Sequence, residues 1–431
     1  MKASLLRIVT AVLTMRIGVR GRKLYVDGRP LYLVGVNYWP RKHPIQRMWK
    51  EFDEEEIRVE ARQLKSLGVN VIRAFIFCED FSPGPYRINL ESIEKLRRFV
   101  RIMEEEGVYV MPSLLVGHMS GENWPCPWQE GRDLYRDPVA LERTAWFISE
   151  VVSRLRDERG VLGWIWSNEY PLYAGRLEPE EAEAYARFAS SVVKSLDGDR
   201  LFSLGDGHVF TWGYPPERVK EYVDYLGPHC YGVDNDAIRR SYWYGFWCKY
   251  CSSLKFTILE EFGCSTAQVS EKAQAELYSL ALFSALINGA FGVLGWCYSD
   301  FPTEGDRPYV HHPHELKFGI TRADGSEKPA AGVIKRFRRI VDAIDWDSYD
   351  WAKDEAAILV PSLLYKSYPF MHVDKWEVGL TLIQAFTTAK MAHLPVTFVR
   401  EDELENLNRY KLLIIPPTIM LLSTTWRRLL E

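Results

Sequence analysis

The chain has no excess of positive charge. Its 54 Lys and Arg stand against 58 Asp and Glu, a formal net charge of -4 over 431 residues. That balance offers no basic stripe to neutralise a run of phosphates, so no nucleic-acid partner is expected. It also lacks any apolar run long enough to cross a bilayer, so no membrane partner is expected either. The opening MKASLLRIVTAVLTM resembles a signal peptide only weakly, because Arg7 interrupts its short apolar stretch and no small-x-small cleavage site follows. Residues 1–14 are therefore read as an N-terminal extension, with Met15 an equally good start. Cysteine is scarce and irregular. Seven residues without framework spacing argue against a disulfide-stapled secreted domain, and localisation stays open between cytoplasmic and secreted. Cys248 and Cys251 form a lone CxxC with neither the second ligand pair of a zinc site nor a thioredoxin-like setting. A bridge between the two, or plain burial, is expected there.

Aromatic residues, by contrast, are plentiful: 13% of the chain, including 15 Trp and 23 Tyr. Flat apolar rings are the surfaces on which sugars stack, although most rings in any protein fill its core.

From Met15 the chain reads as short strands, with Asp27-Gly28 as the turn of a hairpin that could cover the bottom of a barrel. Short apolar runs then alternate with amphipathic stretches to about residue 340. The strand candidates are 31–39, 69–75, 108–115, 161–169, 201–205, 222–231, 255–263 and 292–300, the eight that a (β/α)₈ barrel requires. Gly68 and Gly107 stop two of the intervening helices. An open doubly wound sheet would alternate in the same way. What favours a barrel is that the unusual polar residues gather at strand ends, where barrels keep their chemistry. They are Asn37 with nearby Trp39, Arg73, Asn168-Glu169, His229, Tyr231, Glu261 and Trp296. The expected organisation is thus α/β: a TIM barrel over 15–345 and a small flavodoxin-like α/β domain over 346–431. That second segment stops short of completing a doubly wound sheet.

Cleaving a glycosidic bond takes one carboxylic acid to protonate the leaving oxygen and one carboxylate to attack or to activate water. Glu169 follows the buried-looking Trp164-Ile165-Trp166-Ser167-Asn168, and burial opposite a second carboxylate would raise its pKa and keep it protonated. The second carboxylate comes from ILEEFG. Strand alternation points Glu260 and Glu261 in opposite directions, so only one can face the barrel mouth, and position alone does not say which.

WSNEYP, PHCY, ILEEFG and the GW of LGWCYS, in this order and spacing, resemble glycoside hydrolase family 5 and its relatives in clan A, over about Val34 to Pro329. The resemblance implies a (β/α)₈ barrel and a retaining mechanism. By it Glu169 is the general acid/base, Glu261 the nucleophile, and Arg73 the arginine that keeps the nucleophile charged. Tyr231 matches the tyrosine that bonds the nucleophile, His229 the histidine beside it, and Trp296 the platform under the sugar. Many family members carry a His at the end of the third strand, where this chain has Pro112-Ser113-Leu114-Leu115, so the nearest, His118, is assigned to substrate contact. Trp124 and Trp128 in the same loop read as a wall of the cleft. Nothing fixes His311, His312 and His314 on one face, so they read as a substrate-lining loop and not as a metal site.

No metal or cofactor is expected. The expected partner is a β-linked polysaccharide or oligosaccharide, with endo-β-1,4-mannanase or glucomannanase as the first reading. The alternatives are cellulase, an exo-acting β-galactosidase or β-mannosidase, and a non-catalytic carbohydrate-binding protein. The trailing segment resembles the second domain of family 42 β-galactosidases, which assemble through it, so a homo-oligomer through this segment is a further expectation.

Overall fold

The computed structural model describes residues 15–205, 207, 210, 213–232, 236–369, 371 and 373–431, so the reading of residues 1–14 lies outside the described residues. Eight parallel strands form the centre: β1 Leu33–Asn37, β2 Val71–Phe75, β3 Tyr109–Val116, β4 Gly163–Asn168, β5 Leu201–Ser203, β6 His229–Cys230, β7 Glu261–Phe262 and β8 Gly292–Gly295. The first five pair in chain order. The Asp224 amide donates to the Phe202 carbonyl at 2.8 Å and carries the sheet from β5 towards β6. β6 pairs with β7, and a Leu259–Val293 bridge joins β7 to β8. β8 then pairs with β1, Val36 opposite Gly295, which closes the ring. That last pairing decides against an open sheet, and the chain is a (β/α)₈ barrel. Every residue of β1, β2, β4 and β8 is buried, as strands covered on both faces must be.

The helices outside this ring follow from local signals. Asp53 accepts from the Glu55 and Glu56 amides to start α1 (Glu54–Ser66), and Gly68, at a φ of 83° that side chains resist, ends it. Asn89 and Asp137 cap α2 (Leu90–Glu105) and α3 (Pro138–Leu155) in the same way. Next come α4 (Pro179–Lys194), short α5 (Pro216–Val219), α6 (Ala237–Leu254), α7 (Glu271–Ile287) and α8 (Pro329–Asp342). None of the described helices is long and apolar enough to cross a membrane.

An antiparallel hairpin of Ile17–Arg20, Lys23–Val26 and Arg29–Pro30 precedes the barrel. Its turn is Asp27-Gly28, both at positive φ as a two-residue primed turn demands. Leu24 is fully buried, and Arg159, in the loop entering β4, pairs with Asp27, so the hairpin lies over the end of the barrel opposite the strand termini.

After the barrel, β9 (Ala356–Val360), β10 (Val396–Arg400) and β11 (Leu412–Ile414) form a parallel sheet with β9 central. Helix α9 (Lys375–Met391) connects β9 to β10, and α10 (Ser423–Leu430) follows. Phe398 of β10 and Phe386 of α9 pack on Phe246 of α6 with ring centroids 5.5 and 5.7 Å apart. One hydrophobic core therefore runs from the barrel into this segment.

At the CxxC the structure bears out plain burial, and elsewhere it adds a bridge that the sequence reading did not expect. Cys248 and Cys251 are buried one turn apart on α6 and not bridged to each other, whereas Cys78 and Cys126 form a disulfide across 48 residues. The bridge ties the segment after β2 to the loop after β3, a pairing that only the adjacency of those two strands creates.

Candidate active site

Arg73, at the middle of β2 and fully buried, organises the mouth of the barrel. Its Nε donates to Ser113 Oγ on β3 at 2.8 Å. Nη2 donates to Asn168 Oδ1 at 2.7 Å and to the Ser167 carbonyl at 3.2 Å, both on β4. Nη1 donates to Glu261 Oε1 on β7 at 2.5 Å. A planar guanidinium can reach three strands in this way, which the point charge of a lysine could not.

Glu261 is held from its other side by Tyr231, whose hydroxyl donates to Oε2 at 2.8 Å. Glu260 does not point away from the site as strand alternation suggested. It is fully buried inside the barrel, bonded to Tyr225 and, at 3.2 Å, to Ser203. Its Oε2 also lies 3.3 Å from His229 Nε2, so both glutamates reach the same histidine from different depths. Gly263 completes the motif: a Cβ there would meet the Trp296 carbonyl at 2.3 Å.

Glu169 ends β4 at φ 44° and ψ 40°, a left-handed conformation that costs a non-glycine residue about 1–2 kcal/mol. Its amide donates to the Gly205 carbonyl at 3.0 Å. Its side chain is 18% exposed, against 4% for Glu261. Asn168, beside it, gives one Nδ2 hydrogen to the His118 carbonyl at 2.6 Å and keeps the other.

His229 sits between the carboxylates. Nδ1 is 3.0 Å from Glu169 and 3.4 Å from Glu261. Burial alone would lower its pKa, but the charge of Glu261 and the hydrogen bonds to Glu169 and Glu260 raise it to about 10, so it is an imidazolium at neutral pH. Burial pushes Glu169 up, yet the bond and charge of His229, with the charges of His118 and Arg73, outweigh it and hold the carboxyl below its usual value. For Glu261, burial prevails over His229 and Arg73, the charge of Glu169 adds to it, and the carboxyl is raised. The expectation of a raised Glu169 is therefore reversed, because the hydrogen bond and charge of His229 at 3.0 Å outweigh its burial. Oxygens of the two carboxyls lie within 4.8 Å of each other. With His229 these groups could in spacing hold a cation, but a protonated imidazole supplies donors there and not a lone pair.

Trp296 follows β8, 5% exposed, with Nε1 3.3 Å from Glu315 Oε2. Trp124 is nearly buried, its ring against Phe77 and under the Arg307 guanidinium. His118 bonds Asn123 across the hairpin after β3. Asn37 is fully buried and donates to the Glu260 carbonyl at 3.0 Å, a tie between β1 and β7. Trp39 stacks on Phe75 and Phe77 beneath the surface. Trp128 is no cleft wall: it is buried, packs on Phe147 and donates to Ser82 Oγ at 3.1 Å, buttressing the loop from behind. His312 and His314 meet edge to face with ring centroids 6.1 Å apart, and His312 packs over Gly121, where a Cβ would meet its ring at 2.7 Å. Sequence reading missed Ser113, Tyr225, Ser120 and the role of Glu315, since each acts through a partner distant in the chain.

No protein-family model matches the chain. Among curated proteins, mannan endo-1,4-beta-mannosidase 2 of Oryza sativa subsp. japonica is 24% identical over 243 residues, 50% of this chain and 53% of the rice protein. Beta-galactosidase 13 of Arabidopsis thaliana is 25% identical over 195 residues, 41% of this chain and 21% of that protein. The chain thus spans about half the length of the first and a fifth of the second. Among solved structures, the exo-beta-1,4-mannosidase Op5Man5 from Opitutaceae bacterium strain TAV5 superposes with a TM-score of 0.83 at 23% identity, over 93% of this chain and 75% of that one. A GH5_18 protein from Streptomyces cattleya in complex with Manb1-4GlcNAc superposes with a TM-score of 0.77 at 18% identity, over 89% of this chain and 99% of that one. The chain shares its fold with these proteins and is similar to family 5 glycosidases of clan A.

Proposed function

We propose that the chain is a retaining β-glycosidase that releases β-linked mannosyl units from a chain end. The carrying observation is the carboxyl pair: oxygens of Glu169 and Glu261 within 4.8 Å of each other. Retaining enzymes hold their two carboxyls about 5–5.5 Å apart, whereas inverting ones leave about 6.5–9.5 Å for a water.

In the first step Glu261 attacks the anomeric carbon. Both of its oxygens accept hydrogen bonds, from Arg73 and Tyr231, which stabilise the carboxylate form. Glu169 is the group with solvent left to lose. A glycoside seated against it strips that solvent and pushes its carboxyl up, and the His229 imidazolium at 3.0 Å supplies the proton that Glu169 passes to the departing oxygen. Esterification removes the charge of Glu261, so Glu169 falls again and accepts a proton from the water that frees the sugar. That proton returns to His229, and the cycle balances.

We take action at a chain end in preference to the endo reading, and the loops support it. Arg307, after β8, pairs with Glu122 after β3 at 2.5 Å and covers Trp124. Asp306 pairs with Arg47 after β1 at 2.6 Å. These contacts lace three loops across one side of the mouth, which suits a pocket more than a through-running groove. The exo-mannosidase superposition supports the same choice. The test is product length: mannohexaose incubated briefly should yield mannose and mannopentaose. An even spread of internal fragments would favour endo action, and no turnover of mannosides, glucosides or galactosides would favour a binding protein.

A further inference from the structure

One carboxyl in the site has no part in the proposed reaction. Glu315 stands in a 3-10 turn, Pro313–Lys317, within the long connection after β8. Its Oε2 accepts from Trp296 Nε1 at 3.3 Å and from Ser120 Oγ at 3.1 Å. Oε1 has no such bond among the described residues; His314 Nε2 lies 3.6 Å from it. The side chain keeps 14% of its surface exposed. Burial, with the charges of Glu261 and Glu169 adding to it, raises the carboxyl to about 7. A group that feels both carboxylates and grips the edge of the indole shares the space in which a sugar would lie.

Keeping a further carboxyl there works against folding, since each added charge must be desolvated beside like charges. Orienting the indole does not require it: an amide oxygen accepts from Trp296 and Ser120 equally well. The unspent oxygen is what distinguishes a carboxylate at this position, and a sugar presents hydroxyl donors to match.

Building on the glycosidase reading, we propose that Glu315 determines sugar specificity: its Oε1 accepts a hydrogen bond from one hydroxyl of the pyranoside stacked on Trp296. Glu315→Gln tests this, because the amide keeps an oxygen for Trp296 and Ser120 and turns an N–H₂ towards the sugar. A thermal melt like that of the wild type establishes that the variant is folded. Aryl β-mannosides lacking one hydroxyl at a time are then compared on both proteins. The wild type should lose about 10- to 100-fold in kcat/KM at one particular deoxy position, and the variant should show the same loss on the complete substrate and little further loss at that position. Full deoxy penalties at every position in the variant would overturn the proposal while leaving the glycosidase reading intact. Should the wild type hydrolyse no aryl glycoside, that reading fails on its own. Binding of β-1,4-mannobiose, measured by calorimetry, then decides the role of Glu315: weaker binding by the variant supports it and equal binding overturns it.

Discussion

Arg73 and His229 face three glutamates, the buried 260 and 261 and the partly exposed 169, so each cation is held in place by more negative charge than it can neutralise. Removing either exposes the imbalance. Arg73→Met should destabilise the protein by about 3–5 kcal/mol, as loss of one partner of a buried ion pair does, and denaturant titration measures it. His229 makes a pH-dependent contribution whose sign follows from its raised pKa. Between the ordinary value of 6.5 and about 10 the folded protein keeps a proton that the unfolded chain has released. Raising pH through that window therefore favours unfolding. The stability difference between wild type and His229→Gln should be full below pH 6.5 and shrink towards pH 10. A difference independent of pH would show that the histidine is neutral. At this scale the sequence was legible for residue identity and not for protonation. The Asn168-Glu169 pair stands at a strand end that periodicity locates, whereas the order of the Glu169 and Glu261 pKa values depends on where His229 lies.

At the scale of elements, local chemistry was readable and pairing across the chain was not. The Asp27-Gly28 turn and the glycine stops at 68 and 107 appear where the sequence puts them, because each depends on backbone conformation within a few residues. The Cys78–Cys126 bridge escaped notice because nothing within its 48-residue span marks the two as partners; the adjacency of β2 and β3 does. In the chain-entropy account a closed loop of that length is worth about 4 kcal/mol. Cys126→Ser should lose up to that amount in denaturant titration. Because the bridge tethers the loop that carries Trp124, KM should rise more than kcat falls. An unchanged KM would mean that the loop holds its shape without the bridge.

Over the whole molecule, alternation of strand and helix did not settle closure, since an open sheet obeys the same alternation; the polar residues at the strand ends favoured a barrel, and the pairing of β8 with β1 closes it. The segment after residue 345 reads as a separate unit in sequence, yet Phe386 and Phe398 join the core that includes Phe246. Phe398→Ala should therefore destabilise the barrel as well, by about 3–5 kcal/mol, seen as one transition shifted for probes in both regions. Two separated transitions would indicate that the segment melts independently. Substrate choice was the least legible property: the loops after β1, β3 and β8 are joined by contacts, such as Arg307 with Glu122, between residues far apart in the chain.

The central claim, a double displacement through Glu261 assisted by Glu169, is tested most directly by the configuration of the first-formed sugar. Proton NMR during the opening minutes of aryl β-mannoside hydrolysis, before mutarotation, should show the β-anomer accumulating first. First appearance of the α-anomer would mean a single displacement by water and would contradict the account.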